Sequence, residues 1–457
     1  MSRKRILVLA PYFAPDASIG TRRSLGLANY LVSRGWHVDV VTVSESDLSL
    51  IDKSSHFRVE PEIRIHRVPS VDFIEKLLWP FKLLSRLTSG GTRDHKWGAA
   101  AAREDNYFDA TGRSARWLWP VYIPDKKLQW ALRLACSRRI RQLAEAADCI
   151  YSSSPPHSIH ITGAILKFLT KKPWVIDFRD PWVTNPFREL PNSVLVVNYD
   201  RYLERKVISL CDRIVCATPR MANDLIERYK GIDEKIISVL NGYDPVLFSE
   251  NGYVAYVDRE RVKLTHVGSL YGKRDITFLL QALSILKEEE PDIVKDFCVE
   301  FIGPGTTSYR KMIEEMELKG TVKLDGPISY NKALDKYRQA TACICVGVLG
   351  TNVGFDIPAK LYEFISLGKP VFALAGASSN IAIILQNAGV QYFLADPSNP
   401  CEIYSRLKEL HCKWKDGKLE YGGNREKRMS FDSRMMAKKL EDIFLEVSSK
   451  NNMPSLE

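Results

Sequence analysis

The stretch Gly354-Phe-Asp-Ile-Pro-Ala-Lys-Leu-Tyr-Glu-Phe-Ile-Ser-Leu-Gly-Lys-Pro-Val371 carries the residue types needed to hold a nucleotide diphosphate. It reads as loop, short helix, then strand. Asp356 suits an N-cap, and Pro358 suits a first helical turn because it lacks an N–H. The free amide hydrogens and positive dipole end of such a helix attract an anion such as a phosphate. Lys360 adds a cation one turn before Glu363. The Glu363 carboxylate can accept two hydrogen bonds from a vicinal diol such as a ribose. A plainer reading stays open: a capped helix with an exposed Lys360–Glu363 pair. Gly368 suits the position after the helix and Pro370 cannot extend it, so Val371 to Leu374 reads as a buried strand.

Four other places combine reactive types with a strand end. Lys263-Leu-Thr-His-Val267 opens into Gly268-Ser-Leu-Tyr-Gly-Lys-Arg-Asp275. Gly268 and Gly272 let backbone approach a ligand, and Lys273 and Arg274 bring two positive charges to that edge. The strand Asp148 to Ser152 runs into Ser154-Pro-Pro-His157-Ser158, and Trp174-Val-Ile-Asp-Phe-Arg-Asp-Pro-Trp182 follows. Asp177, Arg179 and Asp180 fit either a ligand edge or a structural ion-pair network beneath the loop. The Pro11–Arg23 loop ends in Gly20, Arg22 and Arg23, which fit either an anion site or a solvated helix start. No Asp-x-Asp pair and no clustered His/Cys set has metal-ligand spacing, so no metal is expected.

Positioning these groups falls to two strand–helix series. Ile6 to Ala10, a helix from Ser24 to Arg34, and His37 to Val43 make the first βαβ pattern, which implies a parallel sheet. Arg64–Val68, Arg213–Ala217 and Ile236 onward continue it, with helices at Tyr202–Leu210 and Met221–Tyr229. The second series runs from Lys263 through a helix at Ile276–Leu286 and strands at Phe297–Ile302, from Val322, and at Ala342–Val346. Open α/β sheets bind ligands at the carboxyl ends of their strands, which is where the loops above lie. The expected domains are 1–245, then 258–430 across a linker near 241–262. An amphipathic helix at 431–450 crosses back to the first domain.

Composition narrows the class. The 457 residues are 45% hydrophobic and 26% charged, with a formal net charge of +10. That size allows two or three domains, and the charge favours anionic partners. Nine cysteines without a Cys-x-x-Cys pair suggest a reducing, cytosolic compartment. Cys343 and Cys345 alternate in an apolar run, as core residues of one strand. Arg3-Lys-Arg5 and the apolar run after it imitate a signal peptide, but the run is too short, and no stretch is long enough to span a membrane. Between Val71 and Gln142, fourteen Lys/Arg face seven Asp/Glu, and five of the nine tryptophans fall there. Phe73 to Leu87 has a broad apolar face kinked at Pro80. Such a basic, aromatic insertion near 71–130 suits a membrane interface, single-stranded nucleic acid, or packing on its own domain. An anionic lipid surface is the favoured partner, and nucleic acid is not expected.

Pro358-Ala-Lys-Leu-Tyr-Glu363 followed by Gly368-Lys-Pro370 resembles the donor-site motif of family 4 glycosyltransferases. Gly35 to Thr42, Ile123-Pro-Asp125 with Trp130, Ser154 to Ser158, Trp174 to Trp182 and Ile236 to Asp244 extend the resemblance. It covers nearly all the chain outside about residues 71–120. It implies an α/β GT-B fold: two Rossmann-like, doubly wound parallel-sheet domains facing a cleft. It implies a retaining glycosyltransferase that takes a nucleotide diphosphate sugar as donor, with no cofactor. The acceptor would be a glycan or a lipid-linked acceptor. The setting would be cell-envelope polysaccharide or lipopolysaccharide assembly, in the cytoplasm or peripheral on the inner face of the membrane. By resemblance, Glu363 binds the ribose, Gly268 and Ser269 face the donor, and Arg274, Lys273 and Lys360 meet its diphosphate. Phe355 stands where the family has a first glutamate. Asp356 beside it, or the backbone N–H groups from Gly354 onward, would take over that contact with the donor sugar. His157 would lie near the reacting sugar carbon, and Gly20, Arg22, Arg23 and Asp180 near the acceptor. A nucleotide-sugar-binding partner subunit without transfer activity is the alternative that Phe355 supports. A sugar-nucleotide epimerase of the same fold has weaker motif support.

Overall fold

The computed structural model describes residues 3–16, 18–48, 51, 59–70, 122–185, 188, 190, 193–245, 260–270, 274–349 and 357–450. The chain divides into two compact units, residues 1–240 with 436–457, and residues 241–435.

The first unit is built on strands β1 (Arg5–Leu9), β2 (His37–Val43), β3 (Arg64–Val68), β4 (Cys149–Ser154), β5 (Trp174–Phe178), β6 (Arg213–Cys216) and β7 (Ile236–Ser238). Among the described residues they form one parallel sheet in the order β3-β2-β1-β4-β5-β6-β7. β1, β2, β4 and β5 are buried along nearly their whole length, as expected of a parallel sheet covered on both faces, although β4 ends in three buried serines. The helix after β1 spans Ile19–Ser33, starting at Ile19 rather than the expected Ser24. Likewise the helix before β6 spans Val194–Leu210, not Tyr202–Leu210. Both early turns lack a regular apolar stripe, so periodicity alone places their starts too late. Helices Leu128–Cys136 and Arg138–Ala146 occupy a stretch where no alternation is legible. Leu128, Trp130, Ala131 and Leu134 are buried on the first of these.

The second unit holds β8 (Val262–Val267), β9 (Phe297–Ile302), β10 (Val322–Asp325), β11 (Ala342–Val346), β12 (Val371–Leu374) and β13 (Tyr392–Ala395). Its parallel order is β10-β9-β8-β11-β12-β13. Cys343 and Cys345 are buried in β11, and all nine cysteines are free thiols. Each sheet grows outward in both directions from its first strand. The order therefore reverses between β1 and β4 in one unit and between β8 and β11 in the other. Ligand crevices of doubly wound sheets form at the carboxyl ends of the strands beside such a reversal.

The last helix, Ser433–Lys450, returns the chain to the first unit. Met436, Ala437, Leu440, Ile443, Phe444 and Val447 recur at helical spacing and join the core beneath β1 and β4. The Trp36 indole N–H donates to Glu441 Oε1 at 2.9 Å, and the Phe444 ring meets Tyr151 edge-on at 5.4 Å. These contacts tie the C-terminal helix into the N-terminal core. Among the described residues no helix is long and apolar enough to cross a membrane. The proposed interfacial segment Phe73–Leu87 lies outside the described residues.

Candidate functional site

In the second unit, β8 and the Ala359–Ser366 helix bring one cationic group to the strand reversal. Pro358 is the N-cap of that helix, with φ −57° and ψ 126°, rather than a residue of its first turn. Lys360 follows one residue into the helix, and its Nζ lies 3.1 Å from Nε2 of His266 on β8. His266 is 1% exposed, and its Nδ1 lies 3.2 Å from the carbonyl oxygen of Ile344 on β11. A carbonyl can only accept, so Nδ1 carries the proton and Nε2 accepts from the lysine. Burial pushes the His266 pKa well below its usual value, with the Lys360 and Arg274 charges adding to the fall. The imidazole is therefore neutral.

Gly268 makes room for this lysine. A Cβ there would lie 2.2 Å from Lys360 Nζ, and its φ of +148° already favours glycine. The turn is anchored on its other side, where Gly268 N–H donates to Ile302 O at 2.8 Å and Leu270 N–H to Pro304 O at 2.9 Å. Ser269 is half-buried in the same turn, and Arg274 is half-buried just beyond it. The charge of Arg274 acts on both Lys360 and His266. Burial lowers the Lys360 pKa to about 8, with Cys345 and Glu363 raising it and Arg274 lowering it further. Glu363 is 7% exposed, and the Tyr330 hydroxyl donates to its Oε1 at 2.9 Å. The expected exposed Lys360–Glu363 pair is thus absent as such: the carboxylate is buried on Tyr330 and the amine rests on His266. Lys273, Gly354, Phe355 and Asp356 lie outside the described residues.

The first unit places its candidates differently. Arg23 is 4% exposed and turned into the protein. Its Nε and NH2 donate to the two oxygens of Asp177 at 2.9 and 2.8 Å, and NH1 donates to Val239 O at 3.0 Å. Its expected contact with an acceptor is replaced by this internal pairing. Tyr151 and Ser153 hydroxyls also donate to Asp177, at 2.6 and 2.9 Å. Burial raises the Asp177 carboxyl, but the Arg23 charge and these hydrogen bonds more than offset it and hold its pKa below the usual range. Asp177 thus belongs to an ion pair, as one sequence reading allowed, but with Arg23 and not Arg179.

Arg179 instead laces the loop after β4. It donates from Nε to Ser154 O at 3.0 Å and from NH2 to Pro155 O at 2.7 Å. Its NH1 passes so close to Gly20 that a Cβ there would lie 1.4 Å away. Gly20 therefore serves the seating of Arg179. Arg22 and Asp180 are exposed at the carboxyl edge of the sheet.

His157 is 3% exposed and stacks on Trp182 with ring centroids 5.1 Å apart. Its Nδ1 lies 3.0 Å from the Ser154 hydroxyl. Burial, then the charges of Arg188, His160 and Arg179, push its pKa well below the usual value. The expected ring turned toward a sugar carbon is, in this structure, a neutral ring packed inside its own unit. His266, which meets Lys360, carries no signal in the sequence beyond its place in an apolar strand, and neither does His160 beside the His157 loop. His160 is fully buried, bonded through Nδ1 to Ser152 Oγ at 2.8 Å. Among the described residues no three His, Cys, Asp or Glu side chains gather as a metal site.

Comparison with known proteins agrees with this architecture. Residues 20–242 match the glycosyl transferase 4-like domain, which accounts for most of the first unit. A D-inositol 3-phosphate glycosyltransferase of Thermomonospora curvata is 24% identical over 224 residues, 45% of this chain and 51% of that relative. The chain thus aligns with about half the length of the curated relative it matches. The crystal structure of a glycosyltransferase from Rickettsia africae superposes with a TM-score of 0.62 at 14% identity, covering 99% of this chain and 100% of that one. Sucrose-phosphate synthase of Thermosynechococcus elongatus gives 0.62 at 13% identity, covering 98% and 100%. The fold is GT-B: two parallel-sheet α/β domains of the kind shared by these glycosyltransferases.

Proposed function

We propose that the chain is a retaining glycosyltransferase that moves a sugar from a nucleotide diphosphate sugar to a glycan or lipid-linked acceptor. The observation that carries this reading is the seating of the Lys360 amine over Gly268, at the carboxyl end of β8 beside the strand reversal. A cation over a glycine turn at that edge is suited to a diphosphate, and Arg274 adds a second positive charge. Glu363, further along the same helix, is the residue for the ribose diol. Lys273, Ser269 and the 354–356 backbone complete the donor contacts in this reading.

The leaving group is an anionic diphosphate, so catalysis rests on positioning it and neutralising the charge it gains. In a front-face reaction the bond from the anomeric carbon to the diphosphate oxygen breaks as the acceptor oxygen bonds to that carbon. The acceptor's proton passes to the departing phosphate oxygen. Lys360 and Arg274 stabilise the negative charge before that proton arrives. His157, neutral and enclosed, contributes to the wall of its loop in this scheme and takes no proton. Cell-envelope polysaccharide or lipopolysaccharide assembly, at the inner face of the membrane, is the setting we favour from the motif resemblance.

The direct assay is release of nucleoside diphosphate from a panel of nucleotide sugars, with and without glycan and lipid-linked acceptors. Acceptor-dependent release with the anomeric configuration kept supports the proposal. Donor binding without transfer or hydrolysis across that panel supports the partner-subunit reading, and neither binding nor release contradicts both. Glu363→Ala should weaken donor binding by about 1.5–3 kcal/mol, the usual cost of losing a hydrogen bond to an ionised group. Calorimetric titration checks this, and unchanged affinity would leave Glu363 as a partner for Tyr330 alone.

A further inference from the structure

We infer that His266 is the positioning residue for Lys360, a neutral hydrogen-bond acceptor that holds the lysine ammonium over the Gly268 turn so that it meets the donor's diphosphate. The inference rests on the donor-site reading above and adds to it a residue that no motif marks. A lysine has four rotatable side-chain bonds, and fixing them costs conformational entropy. Here the amine is fixed from two sides. Gly268 leaves a slot that a Cβ would fill, and His266 Nε2 accepts from the amine at 3.1 Å. The acceptor is itself fixed, because its Nδ1–H donates to Ile344 O on the neighbouring strand. The imidazole also packs at 6.0 Å from the Phe301 ring on β9.

The chemistry of the acceptor matters as much as its place. A carboxylate in this position would pair with the ammonium and repel an incoming phosphate. A neutral imidazole orients the cation and leaves its charge for the ligand. The groups facing the amine are His266 on β8, Cys345 on β11, Arg274 beyond β8, and Glu363 on its own helix. Burial outweighs the others and brings Lys360 to about 8 in the free protein. A bound diphosphate raises that value. The lysine's contribution to affinity is then full below about pH 8 and fades as the pH rises through the value in the complex. Without the His266 acceptor the charged amine loses a partner, and its pKa in the free protein falls further.

The test is calorimetric titration of the full chain with UDP, GDP and ADP as separate probes, from about pH 6.5 to about pH 9.5. The variants are His266→Leu, His266→Gln and Lys360→Arg, each checked for its unfolding midpoint. For whichever probe binds, the wild-type affinity should fall above about pH 8. His266→Leu should bind roughly tenfold more weakly near neutrality, with the alkaline fall moved to lower pH. His266→Gln, whose amide oxygen can accept from the lysine, should recover most of the affinity and the wild-type pH profile. Lys360→Arg should abolish the alkaline fall, because a guanidinium does not titrate there. Wild-type binding with an unchanged affinity and pH profile in His266→Leu would overturn the role of His266 and leave the donor site standing. An alkaline fall that survives in Lys360→Arg would do the same. Wild-type protein that binds none of the three probes would overturn the donor-site reading, and this inference with it.

Discussion

Asp177→Asn is expected to destabilise the first unit by about 3–5 kcal/mol, the usual loss when one partner of a buried ion pair is removed. Asp177 is fully buried and Arg23 nearly so, and the variant removes the carboxylate charge that faces the guanidinium. The amide keeps the shape of the carboxylate, so little of the loss comes from packing. The pair joins the first helix to β5 and, through Val239, to the turn after β7. The pH dependence gives a second reading of the same bond. A carboxyl held below its unfolded value stabilises the fold above about pH 4, and that stability is lost as the pH falls through the folded value. Urea unfolding curves across acid pH should therefore fall steeply for the wild type and less so for Asp177→Asn. A difference near zero at neutral pH would mean that Arg23 finds water or another partner in the variant.

Arg274→Met should lower turnover by about 100- to 1,000-fold, on the scale of removing one charge-stabilising donor from an active site. The effect on donor affinity should be smaller, because the diphosphate gains charge only as the sugar departs. The side chain follows the Gly268 turn, and its charge is felt by both Lys360 and His266. Steady-state and single-turnover rates of nucleoside diphosphate release separate the two effects. A variant with reduced affinity and unchanged turnover would place Arg274 in ground-state binding only.

Much of this fold was legible because parallel strands covered on both faces leave continuous apolar runs. Ile6-Leu-Val-Leu and Ala342-Cys-Ile-Cys-Val346 show this, and β1 and β11 lie there. Gly268 reads in the sequence as letting backbone approach a ligand; in the structure it makes room for the Lys360 side chain, and Gly272 lies outside the described residues. What stayed hidden depended on distance along the chain. Arg23 reads as a cation at a helix start, and nothing nearby shows that it bonds to a residue 154 positions away. His266 lies inside Leu264-Thr-His-Val267, where burial in a strand hides its link to Lys360, 94 positions on. His157 showed its loop but not its enclosure, which comes from stacking on Trp182. Helix starts at Ile19 and Val194 were missed because polar or uniformly apolar first turns carry no 3.6-residue signal.

In the proposed function the second unit grips the diphosphate of a nucleotide sugar at the edge where β8 meets β11. A crystal structure of the full chain soaked with nucleotide sugars and nucleoside diphosphates tests it most directly. Phosphate oxygens are expected within hydrogen-bond reach of Lys360 and Arg274, with the ribose against Glu363. Clear density for the nucleotide at another place, or none at saturating concentration, would contradict it.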